Sequence, residues 1–142
     1  MPTRTADAEW KGTLQEGNGH LRMATGAWEG PYSFSSRFEE GQGTSPEELI
    51  AAAHAGCYSM ALAGSLGKAG FTPGSVRTTA DVRLERGEAG WNIAAIELTA
   101  EAEVADIDED RFREIAEQTK DSCPVSKALA AVPSITVEAK LV

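Results

Sequence analysis

The sequence predicts an α+β fold in which antiparallel sheets wrap around one long central helix. Three observations lead there: clean two-residue alternation in "VRTTADVRLER" and "SITVEAKLV", an uncharged span from Leu49 to Gly67 with a helix-start signal in front of it, and the order of the elements. With 142 residues, 42% of them hydrophobic, the chain can bury one core and is too short for two ordinary domains, so a single domain over residues 1–142 is expected.

The first part, through "DAEWKGTL", "GHLRMATG" and "GPYSFSSRF", mixes short alternating stretches with the turns "EGNG" and "EGP", the pattern of a small antiparallel sheet. The period then changes. Ser45 as N-cap, Pro46 at the first helical position and Glu48 at the third spell a capping box. The uncharged span that follows reaches the length of a membrane-crossing helix, but it is rich in Ala, Gly and Ser, which favours a helix packed closely on its neighbours. Gly67 and Gly70 mark its end.

Beyond it, Val76, Thr78, Ala80, Val82 and Leu84 fall on one face of a strand and Arg77, Thr79, Asp81 and Arg83 on the other. "GEAG" turns the chain into "WNIAAIELTAEAEV". There Trp91 and Ile93 are odd-numbered while Ile96, Leu98, Ala100, Ala102 and Val104 are even, so one face stays buried only with a bulge near Ala94 and Ala95. "DIDEDRFREIAEQTK" is a helix with Asp108 as N-cap and Ile107 and Phe112 spaced as a hydrophobic staple. "DSCPVSKALAAV" is a short helix with Pro124 at its first position and Cys123 immediately before it, and a last alternating strand closes the chain.

Thirteen Lys and Arg against 22 Asp and Glu give a net charge of −9, with no basic block. That balance argues against binding nucleic-acid phosphates or an anionic membrane surface. "MPTRTADAEW" has no apolar signal-peptide core, so a cytoplasmic location is expected. In a reducing compartment, two cysteines far apart in sequence point to redox or catalytic chemistry before a structural staple.

Cys57 sits in the uncharged helix, where a free cysteine ordinarily packs as a small hydrophobe. Cys123 stands at a helix start, where unpaired N–H groups favour a thiolate. A thiolate in an apolar helix needs a cation, because desolvation otherwise raises its pKa. Arg37, just before the loop into the long helix, is the candidate, the ordinary alternative being a solvated arginine at a strand end. Glu47 is left over once Glu48 is assigned to the capping box. Ten residues separate Glu47 from Cys57, about 15 Å along a helix and about 80° round it, so service to one site needs another chain or a long bridging side chain.

His54 precedes Cys57 by three positions and shares its helix face, which permits a Cys–His nucleophile, although no third, orienting residue is evident. A structural histidine is the plainer reading. Cys57, His54, Cys123 and His20 show no metal-ligand spacing.

"PYSFSSRFEEGQGTSPEELIAAAHAGCYSMAL" resembles the active-site stretch of the OsmC/Ohr family of organic hydroperoxide reductases, and its OsmC (osmotically inducible protein C) branch above all. The resemblance extends through "GFTPGSVRTTADVRL" and "SCPVSKAL". Its specific parts are PEEL, the cysteine ten residues after the first glutamate of that motif, and the distal SCPVS. The resemblance implies that Cys57 is the peroxidatic and Cys123 the resolving cysteine, joined as a disulfide during turnover, and that Arg37 and Glu47 are the charged partners of the thiolate. It also implies an intertwined homodimer with both active sites at the interface, a role in stress defence, and an external dithiol reductant such as a dihydrolipoyl protein. No metal, haem or flavin is required by such chemistry. Tyr32, Phe34, Tyr58 and Met60 are the expected apolar lining of the substrate pocket. A Cys–His thiol hydrolase and a non-catalytic binder of hydrophobic ligands are the alternatives.

Overall fold

The computed structural model describes residues 1–142. The chain forms two compact units, Met1–Leu49 and Ile50–Val142.

In the first unit, β1 (Ala6–Lys11), β2 (Asn18–Met23) and β3 (Glu29–Tyr32) make an antiparallel sheet in that order. The register aligns Trp10, Gly19 and Tyr32 across the three strands. A side chain at position 19 would collide with both rings; glycine instead lets Trp10 and Tyr32 approach to 5.4 Å between centroids. Residues 34–38, read from sequence as the end of a strand, are instead a helix, α1 (Phe34–Phe38). Ser33 and Ser36 cap it reciprocally: each side-chain oxygen accepts the backbone N–H of the other. Ser36 also donates to the Thr44 carbonyl at 2.7 Å, and Thr44 N–H donates to Pro31 O, so the loop after α1 is tied back to β3.

The helix α2 (Pro46–Lys68) begins where the sequence places it. Ser45 Oγ accepts the Glu48 N–H at 3.0 Å, half of a capping box. The other half is redirected, since the Glu48 carboxylate accepts from the Thr44 hydroxyl at 2.6 Å. At the far end Gly70 takes φ +93°, Phe71 N–H reaches Leu66 O and Gly70 N–H reaches Gly67 O, which is a Schellman motif.

In the second unit, β4 (Pro73–Gly87) and β5 (Gly90–Val104) form the expected hairpin. Arg83 pairs with Ala95 and Leu84 with Ile93, so Ala94 is the extra residue of a bulge at the parity change seen in the sequence. Then come α3 (Glu109–Ser122), capped by Asp108, α4 (Pro124–Ala128) and β6 (Ser134–Leu141). β6 departs from the all-antiparallel expectation and pairs parallel to β5. The cause is topological: α3 and α4 carry the chain back across the sheet, the crossover that a parallel neighbour requires.

Tyr58, Leu62 and Leu66 of α2 pack with Ile96, Leu98, Ala100 and Ala102 of β5 and with Phe112, Ile115 and Ala116 of α3. Burying a leucine or phenylalanine there stabilises by about 1.5–3 kcal/mol. Two polar bonds fix how α3 lies on α2: Tyr58 Oη donates to Ala116 O at 2.8 Å and Thr119 Oγ1 to Ser65 Oγ at 3.0 Å.

Candidate active site

In the second unit the fold brings the two cysteines together. Cys57 projects from the middle of α2 and Cys123 joins α3 to α4; their sulfurs lie 3.2 Å apart, both as free thiols. Cys123 is fully buried and Cys57 half-buried. Burial pushes the Cys57 thiol up, partly offset by the Val125 N–H, and the neighbouring Cys123 pushes it further up. Burial also opposes ionisation of Cys123, but the N–H groups of Ser126 and Val125, the Cys57 thiol and the Ser126 hydroxyl outweigh it and lower that pKa. These donors act although Cys123, the N-cap residue of α4, makes no full capping hydrogen bond. Taken alone, then, this unit places the easier negative charge on Cys123. With its pKa raised by burial, Cys57 would ionise readily only beside a cation, as its apolar helix predicts.

The cation and its carboxylate are both in the first unit. Arg37 Nη2 donates to Glu47 Oε1 at 2.8 Å, and Nε lies 3.2 and 3.3 Å from the two carboxylate oxygens. α1 carries the arginine in its last turn; the first turn of α2 carries the glutamate. Glu47 is buried, whereas the Arg37 side chain is 37% exposed, so one face of the guanidinium is open. Its carbon lies 5.1 Å from the Phe38 ring centre. Trp10, Leu14, Tyr32, Phe34 and Phe38 line a cavity of about 380 Å³ together with Ser33 and Arg37, the arginine being its one charged side chain. Two of the four expected pocket residues, Tyr32 and Phe34, are thus in it. Tyr58 is not available to line a pocket, since it is fully buried in the core, and Met60 lies 78% exposed on α2.

His54 makes no bond to Cys57. Its Nε2 meets Ser126 Oγ at 2.7 Å, while Nδ1 is buried without a partner. Burial lowers the imidazole pKa and keeps the ring neutral. An unpaired buried polar atom costs about 1–3 kcal/mol. The Cys–His nucleophile allowed by the spacing therefore lacks its defining hydrogen bond. Ser126 escaped the sequence reading; its only local sign is that it follows Cys123 by three positions, as His54 precedes Cys57 by three.

Residues 39–138 match the family model described as OsmC-like protein. The chain belongs to that family. The peroxiredoxin OsmC of Escherichia coli K12 is 45% identical to it over 139 residues, 97% of this chain and 96% of the relative. The peroxiredoxin OsmC of Shigella flexneri matches to the same extent. Among solved structures, the organic hydroperoxide resistance protein OhrB of Bacillus subtilis superposes with a TM-score of 0.72 at 23% identity, over 97% of this chain and 98% of that one. The OsmC-like protein of Mycoplasma pneumoniae gives 0.75 at 14% identity, over 99% and 98%. These structural likenesses establish the OsmC-like fold of the chain, an α+β arrangement of two small sheets and a long helix.

Proposed function

We infer that this OsmC-like chain is a cysteine-based peroxidase that reduces organic hydroperoxides to alcohols in defence against oxidative stress. The observation that carries the reading is the meeting of two free sulfurs, 3.2 Å apart, on a chain 45% identical along nearly its whole length to a peroxiredoxin. Cys57 as thiolate attacks the distal oxygen of ROOH. The O–O bond breaks, the alkoxide takes a proton and leaves as ROH, and Cys57 becomes a sulfenic acid. The Cys123 sulfur then attacks the Cys57 sulfur; the S–O bond breaks, water leaves and a disulfide forms. An external dithiol, such as a dihydrolipoyl protein, restores both thiols by exchange. Arg37 stabilises the Cys57 thiolate and the departing oxygen, and Glu47 holds Arg37 in orientation.

The working form is a homodimer in which Arg37 and Glu47 of one subunit serve Cys57 and Cys123 of the other. Two observations favour it. α2 runs unbroken through Glu47 and Cys57, and ten residues of helix rise about 15 Å. Only 22% of the most apolar 18-residue window of α2 is buried within the chain, and Gly56, Met60 and Gly64 lie open along it, so this face calls for a cover. Residues 1–142 then act as one functional domain, and the reaction belongs in the cytoplasm. Turnover of cumene or tert-butyl hydroperoxide with dithiothreitol, compared between wild type and Cys57→Ser, tests the reading. Cumene hydroperoxide should exceed hydrogen peroxide in kcat/KM, because apolar burial favours the larger substrate.

A further inference from the structure

The two cysteines are not the only residues that α2 and α4 bring face to face. His54 and Cys57 are three apart on α2; Ser126 lies three beyond Cys123 at the start of α4. Residues at that spacing share a helix face. The two pairs meet in opposite order, Cys57 Sγ with Cys123 Sγ at 3.2 Å and His54 Nε2 with Ser126 Oγ at 2.7 Å. The second contact joins residues 72 positions apart and is fully buried, so it forms a rung beside the sulfur pair. An apolar side chain in place of His54 would avoid the unpaired Nδ1, but it could not bond Ser126.

We propose that His54 and Ser126 are positioning residues for the resolving step, seating Cys123 against Cys57 and directing the Ser126 hydroxyl to the Cys123 sulfur. This rests on the peroxidase reading above. The orphan nitrogen indicates the direction of the hydrogen bonds. If Nε2–H donates to Ser126 Oγ, Nδ1 is an unsatisfied acceptor; the reverse would bury an unsatisfied N–H, the rarer defect in proteins. The Ser126 O–H is then free for Cys123, whose ionised form it favours. As the Cys123 sulfur gives its electron pair to the Cys57 sulfur, the S–S bond forms and the S–O bond breaks. Cys123 attacks as its thiolate, whose charge Ser126 steadies while keeping its own proton; the proton that Cys123 released on ionising combines with the departing hydroxide, which leaves as water.

Other titratable groups nearby are engaged or turned elsewhere. Tyr58 of α2 donates to Ala116 O, and Lys120 of α3 is paired with Glu117. Lys120, Asp121 and Lys127 share a cavity wall with Ser126, but the Ser126 hydroxyl is engaged with His54 and Cys123 rather than with any of them. The β5 residues of this core, Ile96 and Leu98, carry no charge.

Two measurements on the purified full-length protein test the proposal. The first titrates the ultraviolet absorbance of the Cys123 thiolate in a Cys57→Ser background, where no peroxide is needed. Ser126→Ala should raise the Cys123 pKa and Ser126→Thr should not; His54→Leu should raise it and His54→Gln, which keeps an N–H donor, should restore it. The second follows one equivalent of cumene hydroperoxide with Cys57 present. Ser126→Ala should slow disulfide formation roughly tenfold, the effect of one hydrogen bond to a charged group, so that sulfenic acid accumulates for dimedone trapping while its own formation is not slowed to match. Wild-type titration and disulfide rates in both Ser126→Ala and His54→Leu would overturn the proposal, as would equal slowing of both chemical steps. A wild type that consumes no hydroperoxide would end the peroxidase reading, and the titration would still decide whether the rung tunes Cys123.

Discussion

The Arg37–Glu47 pair and the Cys57–Cys123 pair have opposite physical characters. The first joins full charges through three close N–H to carboxylate contacts, with the arginine partly in water. The second joins uncharged thiols against an apolar core, where burial resists the ionisation that chemistry needs. A cation engaged with its own carboxylate performs no reaction, and a thiol whose pKa is raised is a poor nucleophile. Under the proposed function each pair supplies what the other lacks. The comparison therefore breaks first at the atom on which both depend. Cys57→Ser should reduce peroxide turnover to that of the dithiol alone while far-ultraviolet circular dichroism and thermal unfolding stay close to wild type, because the swap nearly preserves volume. Retained turnover would remove the sulfur pair from the chemistry.

Next in size is loss of the cation. Arg37→Ala should lower kcat/KM by about 10²-fold, the scale of removing one electrostatic stabiliser from a reacting centre. If the two pairs work across a dimer, mixed dimers of a Cys57→Ser chain and an Arg37→Ala/Glu47→Ala chain should recover one competent site and up to half of wild-type activity, although both parents are inactive. Inactive purified heterodimers would place all four residues in one chain. A monomer by light scattering with normal turnover would dismiss sharing altogether.

What was legible in the sequence divides along the same line. Features written in adjacent residues were readable: the Ser45-Pro46 start of α2, the Asp108 cap, the turn at "GEAG", and the bulge at Ala94, which announces itself as a change of parity. α1 was hidden because Ser33 and Ser36 cap a helix of only five residues, too short to show a helical period. The direction of β6 depends on where two helices deliver the chain, which no alternation records. Arg37, Glu47, Cys57 and Cys123 were singled out by residue type and by family resemblance. The 3.2 Å between sulfurs 66 positions apart, and the bond from His54 to Ser126, are products of packing α4 on α2. Glu48 shows the limit at its smallest scale: the motif assigns its carboxylate to the Ser45 N–H, and a nearby Thr44 hydroxyl takes it.

A smaller effect separates the two sulfurs. Cys123→Ser leaves the attacking thiol in place, so the first equivalent of hydroperoxide should still be consumed. Cys57 should then persist as a dimedone-reactive sulfenic acid, and excess peroxide should carry it to the sulfinic acid, seen by mass spectrometry. Sustained turnover at the wild-type rate without any trapped species would show that Cys123 does not resolve the intermediate.

The smallest expected effect concerns stability and the neutral histidine beside the sulfurs. His54 is fully buried and its pKa is lowered from 6.5 by that burial, so between the folded pKa and 6.5 the unfolded chain binds more protons than the folded one. Unfolding free energy then rises with pH in that window, and the folded state loses stability as pH falls below 6.5. The slope for one such group is at most about 1.4 kcal/mol per pH unit, which a urea midpoint resolves. Carboxylates that become protonated below pH 6 add their own slope, so the informative quantity is a difference. His54→Leu removes the titrating ring and the unpaired nitrogen together, and its urea midpoint should fall less between pH 7 and pH 5 than that of wild type. At pH 7 the two proteins should differ little, because the lost bond to Ser126 is offset by the removal of an unsatisfied buried atom. Parallel midpoints across the pH range would mean that His54 gains a proton in the fold as readily as in the unfolded chain, and the neutral rung beside Cys57 and Cys123 would have to be abandoned.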